Sequence, residues 1–347
     1  MKIALVTDAW LPQMNGVVRT LTTVIAELRR SGHQVQVISP DMFRCVACPS
    51  YSEIRLALAG SRAVGKRLDA FAPDAIHIAT EGPLGWAARR YCLSRDVPFT
   101  SAYHTQFPEY VARRTGLSAS RIWPIIRRFH QPSQRIMVAT ETIRQQLRAE
   151  GLNHLHNWSR GVDLALFMPD YPPPDLYLEL QRPIQLYVGR VAVEKNIEAF
   201  LANTHPGSKV VVGDGPALEK LKSRFPEAHF LGKRSGEALA ACYAGADVFV
   251  FPSRTDTFGL VMIEALASGT PVAAYPVPGP LDVLQPGSGA MAQRIESAIA
   301  QALTFDRAAC LAAGRAYSWE ASAEQFLTGL VPIARTHKRV AMAPAPA

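Results

Sequence analysis

The sequence predicts an α/β protein made of two doubly wound, parallel-sheet domains. Its 347 residues correspond to about two domains on size alone. Short β-rich apolar segments alternate with segments of helical periodicity along the chain, a pattern that predicts parallel strands covered by helices on both faces. One proline-rich stretch, PDYPPPD at 169–175, interrupts this alternation and predicts a linker between the two domains.

The first domain is predicted at 1–168 and opens with a βαβ unit. An apolar strand at 2–7 is followed by a helix at 18–31, by Gly32 in the C-cap position and by a strand at 34–39. The further elements predicted in this domain are helices at 62–71, 84–94 and 141–150 and strands at 75–79, 99–103 and 135–139.

After the linker, placed at 169–182, the same alternation predicts a second domain at 183–316. Its predicted strands are 184–188, 209–212, 229–231, 248–251 and 272–274, and its predicted helices are 197–202, 217–224, 237–244 and one starting at Leu260. A C-terminal helix at 317–337 is expected to pack back on the first domain, and 338–347 is expected to be a disordered tail. Two such sheets are expected to bind a ligand between them, at the carboxyl ends of their strands.

Composition excludes several classes of protein. With 48% hydrophobic and 19% charged residues the chain is not expected to be disordered. The N-terminal apolar run is broken by Asp8, which argues against a secretory signal, and no window approaches the ~18 apolar residues of a membrane span. Cys45 and Cys48 form a lone C-x-x-C without a second pair or nearby histidines, so no structural zinc is expected. These features predict a cytoplasmic protein.

The net charge of +8 is unevenly distributed. The segment from Arg113 to Arg135 contains six arginines and no acid, with Trp123, Ile125, Ile126 and Phe129 among them. Such a segment can lie on an anionic membrane, bind nucleic acid, or form a solvated helix whose apolar side packs inward. We favour the membrane surface and expect no nucleic-acid partner. The oligomeric state is taken as monomer by default.

Glycine-rich loops follow the predicted strands. Gly16, in QMNGVVR, would expose amides at a helix N-terminus, where a phosphate binds well. In VGRVAVEKN, Arg190 and Lys195 would point from one short loop and neutralise a diphosphate. The strand end VGDGP, which contains Gly215, is expected to face the same side of the protein as these loops. The alternatives are a plain turn glycine and two ordinary surface cations.

The segment SRTDTFGLVMIEALASGTP at 253–271 places two carboxylates, Asp256 and Glu264, eight residues apart with almost no other charge nearby. Carboxylates accept hydrogen bonds from vicinal sugar hydroxyls, and the N-terminal amides of the helix starting at Leu260 can take a phosphate between them. Together with the cation pair, this pattern predicts a nucleotide-sugar ligand. The alternative is a helix N-cap at Asp256 and an incidental glutamate.

These motifs resemble the donor-binding signature of family 4 retaining glycosyltransferases of the GT-B fold. The resemblance rests on G-R-x-x-x-E-K-N at 189–196 and on S-R-T-D-T-F-G-L-V-x-I-E-A from Ser253, and it extends to P-x-x-N-G-V at 12–17, AYHT at 102–105 and WSRGVD at 158–163. Within the family the sequence is similar to sulfoquinovosyl-diacylglycerol synthases, diacylglycerol glycosyltransferases and GDP-mannose-dependent α-mannosyltransferases.

The resemblance implies roles for individual residues. Glu264 would bind the ribose, and Asp256 the hydroxyls of the transferred sugar, although the family usually has a glutamate, one methylene longer, at that position. Arg190 and Lys195 would hold the diphosphate, and His104 would face the sugar and orient it through a hydrogen bond. The remaining donor-binding residues implied are Gly16, Gly215, Phe258, Gly259, Leu260 and Val261.

The same resemblance implies a mechanism without a protein nucleophile, in which the leaving diphosphate helps to deprotonate the acceptor hydroxyl on the same face. No metal and no other cofactor is expected. The preferred acceptor is diacylglycerol at the inner face of the cytoplasmic membrane, reached through the Arg113–Arg135 segment. The alternatives are an α-mannosyltransferase acting on a soluble or polyprenyl-linked glycan, a sugar-nucleotide epimerase, and an inactive membrane-associated binding module.

Overall fold

The computed structural model describes residues 1–13, 15–48, 51–104, 108 and 118–334. The chain divides into two compact units. Unit 1 is Met1–Ser159 with the C-terminal segment that begins at Trp319, and unit 2 is Arg160–Ser318. Unit 2 thus begins inside the predicted first domain. Arg113, Arg114 and the predicted tail at 338–347 lie outside the described residues.

Unit 1 is built on a six-stranded, fully parallel sheet with the strand order β2-β1-β5-β6-β7-β8. Most residues of its central strands are buried, as expected for a parallel sheet covered on both faces. The strands are β1 Lys2–Val6, β2 Gln34–Ile38, β5 Ala75–Ile78, β6 Thr100–Tyr103, β7 Arg135–Val138 and β8 Leu155–Asn157. An additional antiparallel hairpin consists of β3 Cys45–Cys48 and β4 Tyr51–Ala57.

The helices of unit 1 connect these strands and bury one apolar face each. In the first helix Val18, Leu21, Ile25 and Leu28 recur at helical spacing and are buried. The last helix lies at the C-terminal end of the described chain and packs against the first. The helices are α1 Gly16–Arg30, α2 Ser61–Phe71, α3 Pro83–Ser94, α4 Trp123–His130, α5 Glu141–Ala149 and α14 Trp319–Gly329.

Unit 2 repeats the architecture with a second parallel sheet of six strands, in the order β11-β10-β9-β12-β13-β14. The strands are β9 Ile184–Val188, β10 Ser208–Val212, β11 His229–Gly232, β12 Val248–Phe251, β13 Val272–Ala274 and β14 Gly289–Met291. The helices are α6 Leu176–Glu179, α7 Ile197–Leu201, α8 Leu218–Arg224, α9 Gly236–Gly245, α10 Leu260–Ala267, α11 Pro280–Val283, α12 Ile295–Ala302 and α13 Arg307–Arg315.

α13 packs against α10, the helix that carries Glu264, and also contacts the C-terminal end of α9. Gly314 lies so close to α10 that an added Cβ atom would stand 2.3 Å from the backbone nitrogen of Ala267. Arg307, at the start of α13, donates to the carbonyl oxygens of Ala244 and Ala246 at 2.6 and 2.8 Å, at the C-terminal end of α9. An arginine at this position satisfies helix-end carbonyls that would otherwise lack partners.

The predicted fold class is confirmed, and each strand predicted from the sequence is observed within a few residues. The hairpin β3–β4 and the strands β8 and β14 were not predicted. Cys45 and Cys48 lie on that hairpin and are free thiols. In the part of the chain that the structure describes, no three metal-ligating side chains come together. None of the described helices is long and apolar enough to cross a membrane.

Gly314→Ala is expected to destabilise the protein by about 2 kcal/mol or more, because the new methyl group overlaps backbone atoms of α10 that cannot move aside. A glycine-to-alanine change inside a helix would otherwise stabilise it by about 1 kcal/mol. Thermal unfolding measures the effect. Gly60→Ala, where an added Cβ meets no atom within 4 Å, serves as the control. An unchanged midpoint for Gly314→Ala would contradict the close contact.

Candidate active site

The loops that follow β9 and β12 form the centre of the candidate site in unit 2. β9 is the first strand of this unit, and it pairs with β10 on one side and β12 on the other. The connection after β9 therefore runs to one side of the sheet, and the connection after β12 runs to the other side. In doubly wound sheets this switch point, at the carboxyl ends of the strands, is where ligands bind.

The structure joins the two loops through Lys195 and Asp256. Lys195 lies in the single helical turn Val193–Lys195 after β9, and its Nζ atom donates to both carboxylate oxygens of Asp256, at 2.6 and 2.9 Å. Their side chains are 28% and 25% exposed. Near the pair, Asn196 donates to the carbonyl oxygen of Pro252 at 3.0 Å. The sequence predicted separate ligands for Lys195 and Asp256, and the structure shows that they also bind each other.

The ionised state of Asp256 depends on this pairing. Burial acts to raise the pKa of the carboxyl group, but the positive charge and hydrogen bonds of Lys195 outweigh burial and leave the pKa below its ordinary value. Asp256 is therefore an anion at neutral pH, and the Lys195–Asp256 pair carries no net charge.

Glu264 lies one turn inside α10 and is almost fully buried, with 1% of its surface exposed. The hydroxyl of Tyr243, on α9, donates to its Oε2 atom at 2.9 Å. Tyr243 is itself fully buried, and its carbonyl oxygen accepts a hydrogen bond from Thr270 at 2.6 Å. A buried carboxylate held by a buried phenol has a fixed orientation, as recognition of a specific hydroxyl pair requires. The sequence analysis missed Tyr243, because no sequence signal distinguishes it from a core aromatic residue.

The N-terminus of α10 is open to an anion. Gly259 precedes the helix with φ of +85°, a conformation that favours glycine, and a glycine has no side chain with which to cap the first amides, those of Leu260 and Val261. Phe258 packs edge-on against Tyr317 with ring centroids 5.8 Å apart, so it fixes the loop from the other side. The positive end of the helix dipole therefore meets no side-chain acceptor from its own cap.

The glycine-rich strand end after β10 packs tightly against the loop after β9. Gly213 has φ of +148°, and an added Cβ there would lie 1.8 Å from the carbonyl oxygen of Gly189. The amide of Val191 donates to the carbonyl oxygen of Asp214 at 2.8 Å. Gly215 is also intolerant of a side chain, because an added Cβ would lie 2.4 Å from the carbonyl oxygen of Val191. These glycines therefore set the position of the loop that carries Arg190.

Two arginines lie beside this centre. Arg190 directly follows β9 and is half-buried, and its carbonyl oxygen accepts a hydrogen bond from the buried Tyr187 hydroxyl at 2.9 Å. Arg254 stacks its guanidinium over the ring of Tyr275, 3.6 Å from the centroid. The stacking fixes the side chain of Arg254, which lies two positions before Asp256 in the sequence. Arg254 was not among the predicted residues.

The predicted site residues of unit 1 have different surroundings. The N-terminus of α1, which begins at Gly16, is already capped, because the Asn15 side chain accepts from the amides of Val17 and Val18 at 3.1 and 3.0 Å. His104 follows β6 at the carboxyl edge of the sheet and is buried, with its ring edge-on to Trp158 at 5.3 Å. The residues 105–107 that follow His104 in the predicted loop lie outside the described part of the chain.

Comparisons with known proteins agree with this architecture. The family described as Glycosyltransferase Family 4 matches residues 14–166, and the family described as Glycosyl transferases group 1 matches residues 182–305. A GDP-mannose-dependent alpha-mannosyltransferase of Mycolicibacterium smegmatis is 33% identical over 310 residues, which cover 82% of each chain.

The chain belongs to glycosyltransferase family 4.

Two further similarities extend this result. An alpha-monoglucosyldiacylglycerol synthase of Streptococcus pneumoniae is 28% identical over 317 residues, covering 79% of this chain and 71% of that one. The solved structure of a sucrose-phosphate synthase from Thermosynechococcus elongatus superposes with a TM-score of 0.75 at 23% identity, covering 94% of this chain and 97% of that one. The resemblance deduced from the motifs is thus confirmed. This protein is a retaining glycosyltransferase of the GT-B fold that uses a nucleotide sugar.

Tyr243→Phe is expected to weaken binding of the nucleotide donor about tenfold, because Glu264 loses the hydroxyl that orients it. The control is Tyr177→Phe, which removes another buried hydroxyl of unit 2, bonded to the carbonyl oxygen of Cys242 at 3.3 Å. Both variants should lose about 1 kcal/mol of stability, and only the first should lose donor affinity in calorimetric titrations. Equal affinities in the two variants would contradict the role of Tyr243.

Lys195→Ala is expected to lower stability at pH 7 by about 1 kcal/mol. The lowered pKa of Asp256 means that its pairing stabilises the fold above the ordinary carboxyl pKa of 3.8 and that this contribution is lost as pH falls through the folded-state value. The difference between wild type and variant should therefore shrink from pH 7 towards pH 3.5 in thermal unfolding. Lys222→Ala, which breaks the exposed pair with Glu219, should show a smaller difference at pH 7. A difference for Lys195→Ala that stays constant with pH would contradict the assignment.

Proposed function

We propose that this glycosyltransferase moves a hexose or uronic acid from a UDP- or GDP-linked sugar to a hydroxyl group of a membrane lipid, with diacylglycerol as the first candidate acceptor. The observation that carries the lipid acceptor is the exposed face of α4 and of the turn before it. Arg121, Arg127 and Arg128 are exposed there together with Ile125, which is 55% exposed. A basic surface with a protruding apolar side chain suits an anionic leaflet.

The structure narrows the predicted membrane surface. Trp123, Ile126 and Phe129 are buried in the core of unit 1, so three of the four apolar residues on which the membrane prediction was based stabilise the fold and do not face a membrane. The contact proposed here is therefore mainly electrostatic, with Ile125 as its apolar part. The similarity to the alpha-monoglucosyldiacylglycerol synthase of Streptococcus pneumoniae supports the same acceptor class.

A cavity in unit 1 supports an apolar acceptor as well. It has a volume of about 250 Å³ and lies where the loops after β1 and β2 meet the hairpin β3–β4. Trp10, Leu11 and Phe43 supply apolar walls, and Arg55 lines it with a positive charge. Such a cavity suits an acyl chain next to an anionic or hydroxylated headgroup.

In unit 2 we assign the donor to the switch point. The open N-terminal amides of α10, Arg190 and Lys195 would stabilise the charge that develops on the departing diphosphate. Asp256 binds Lys195 and fixes its position. When the diphosphate binds Lys195, the Asp256 carboxylate would be released to accept hydrogen bonds from the sugar hydroxyls. Glu264, oriented by Tyr243, would bind the ribose.

The reaction needs no protein nucleophile. The bond between the anomeric carbon and the diphosphate oxygen breaks, the acceptor oxygen bonds to the same carbon from the same face, and the acceptor proton passes to the leaving phosphate oxygen. His104 would orient the sugar through a hydrogen bond. We propose no metal and no further cofactor for this step, and we place the enzyme at the inner surface of the cytoplasmic membrane.

A second candidate function is an α-mannosyltransferase that uses GDP-mannose. The observation that favours it is the 33% identity to the Mycolicibacterium smegmatis protein of that name over most of both chains. The two candidates differ in the acceptor, which is diacylglycerol in the first and a soluble or polyprenyl-linked glycan in the second, so an assay with diacylglycerol distinguishes them.

The assay incubates the enzyme with vesicles containing phosphatidylglycerol and diacylglycerol and with UDP-glucose, UDP-glucuronate or GDP-mannose in parallel. A glycolipid made from one donor and absent with Glu264→Ala identifies donor and acceptor together. Donor binding without any lipid product would exclude diacylglycerol as the acceptor.

Arg121→Glu with Arg128→Glu tests the membrane surface. Each basic residue near an anionic leaflet contributes about 1 kcal/mol, so the double reversal should reduce vesicle binding by more than about 100-fold in a sedimentation assay. Arg294→Glu, which reverses an exposed charge in unit 2, is the control and should bind as wild type does. Equal binding of the two variants would exclude this surface.

A further inference from the structure

A chain of hydrogen bonds in unit 1 runs from the protein interior to one carboxylate, that of Glu81. Glu81 Oε1 lies 3.2 Å from His130 Nε2, and His130 Nδ1 lies 2.8 Å from Ser101 Oγ. Ser101 donates to Ser133 Oγ at 3.1 Å, and Ser133 donates to the carbonyl oxygen of His130 at 2.7 Å. His130 and Ser101 are fully buried, and Ser133 nearly so.

The hydrogens in this chain determine the state of the histidine. Because each serine hydroxyl has one hydrogen and both are already donated, Ser101 can only accept from His130, which must carry a hydrogen on Nδ1. The other ring nitrogen, Nε2, contacts Glu81 Oε1 at 3.2 Å, and this contact holds the Glu81 carboxyl group in one orientation.

Glu81 is the end of this chain that faces solvent, with 19% of its side chain exposed. It belongs to the loop between β5 and α3, at the switch point of the first sheet, since β1 pairs with β2 on one side and β5 on the other. The neighbouring carboxylate, Asp8, is buried and accepts from the amides of Leu84 and Gly85 at 2.8 and 3.2 Å. It also accepts from the Thr80 hydroxyl at 2.9 Å. Asp8 therefore caps the N-terminus of α3, whereas the Glu81 carboxylate is partly exposed at the carboxyl edge of the sheet.

We propose that Glu81 binds a hydroxyl group of the acceptor substrate that does not itself react, and that His130 is the positioning residue that aims it. The inference rests on the proposed transfer to an acceptor hydroxyl and deepens it.

The choice of a non-reacting hydroxyl follows from the proton balance. In same-face transfer the reacting hydroxyl gives its hydrogen to the leaving phosphate, so it has none to donate to a carboxylate. A carboxylate that binds the acceptor must then accept from another hydroxyl. The acceptor must then carry more than one hydroxyl, so the inference replaces diacylglycerol, within the proposed class of lipid acceptors, by a lipid with a glycosylated headgroup.

The test compares three acceptors with the donor that the wild-type enzyme uses: diacylglycerol and monoglucosyl-diacylglycerol, each in phosphatidylglycerol vesicles, and soluble methyl α-glucoside. Glu81→Ala should raise KM for the polyhydroxylated acceptors about 10- to 100-fold, the loss of one charge-assisted hydrogen bond. Donor hydrolysis in the absence of acceptor and nucleotide affinity should stay at the wild-type level. Glu324→Ala, at an exposed position on α14, is the control and should leave every value unchanged.

A double-mutant cycle tests the positioning role. His130→Gln should raise the same KM, and it should add nothing in the Glu81→Ala background, because its effect passes through Glu81. If His130→Gln and Glu81→Ala each lowered the rate of donor hydrolysis equally, and the two losses added in the double variant, His130 would have a structural role and the assignment would be overturned. Nucleotide affinity of each variant reports whether unit 2 remains folded.

The outcomes separate this inference from the proposed function. Turnover of diacylglycerol alone overturns the inference and leaves the lipid transferase in place. If methyl α-glucoside is turned over and neither lipid is, the proposed lipid acceptor is overturned. The KM of Glu81→Ala for methyl α-glucoside then tests the inference. An unchanged KM in Glu81→Ala, or no turnover of either polyhydroxylated acceptor, overturns the inference.

Discussion

The reversal of strand order beside β9 is the constraint on which the donor site depends. Because all strands of the sheet run parallel, their carboxyl ends meet at one edge, and because the chain turns to opposite sides after β9 and β12, the two loops there leave a crevice. Lys195 and Asp256, 61 positions apart in the sequence, meet across it. The glycines that pack the 189–191 loop against the end of β10, and the helices α9 and α13 that hold α10, keep this edge in place.

Within that crevice the two carboxylates already have partners before a ligand binds. Lys195 neutralises Asp256, and Tyr243 holds Glu264. The N-terminus of α10 has no side-chain cap, and it provides a fixed partial positive charge that need not reorganise when an anion binds. The contrast with α1 is informative, because Asn15 uses the first amides of that helix. The two units share a fold, but the first helix amides are capped by a side chain in α1 of unit 1 and are not capped by a side chain in α10 of unit 2.

Unit 1 uses its switch point differently. Its helix ends are occupied by protein groups, Asn15 at α1 and Asp8 at α3, and a carboxylate supported by a buried histidine takes the corresponding position. A neutral or hydroxylated ligand suits such a surface better than a diphosphate does. The proposed placement of the donor on unit 2 and of the acceptor on unit 1 would have this local electrostatic basis.

The sequence by itself determined the fold class, most of the strand positions and the family, because the apolar periodicity and the glycine and charge motifs are local along the chain. It also placed Arg190, Lys195, Asp256 and Glu264 at strand ends and a helix start. The tertiary structure decided which groups meet. The Lys195–Asp256 pair, the Tyr243 hydroxyl on Glu264 and the Glu81–His130–Ser101 chain each join residues more than 20 positions apart. It also decided that Trp123, Ile126 and Phe129 face the core, because the side of a helix that is buried depends on what packs against it.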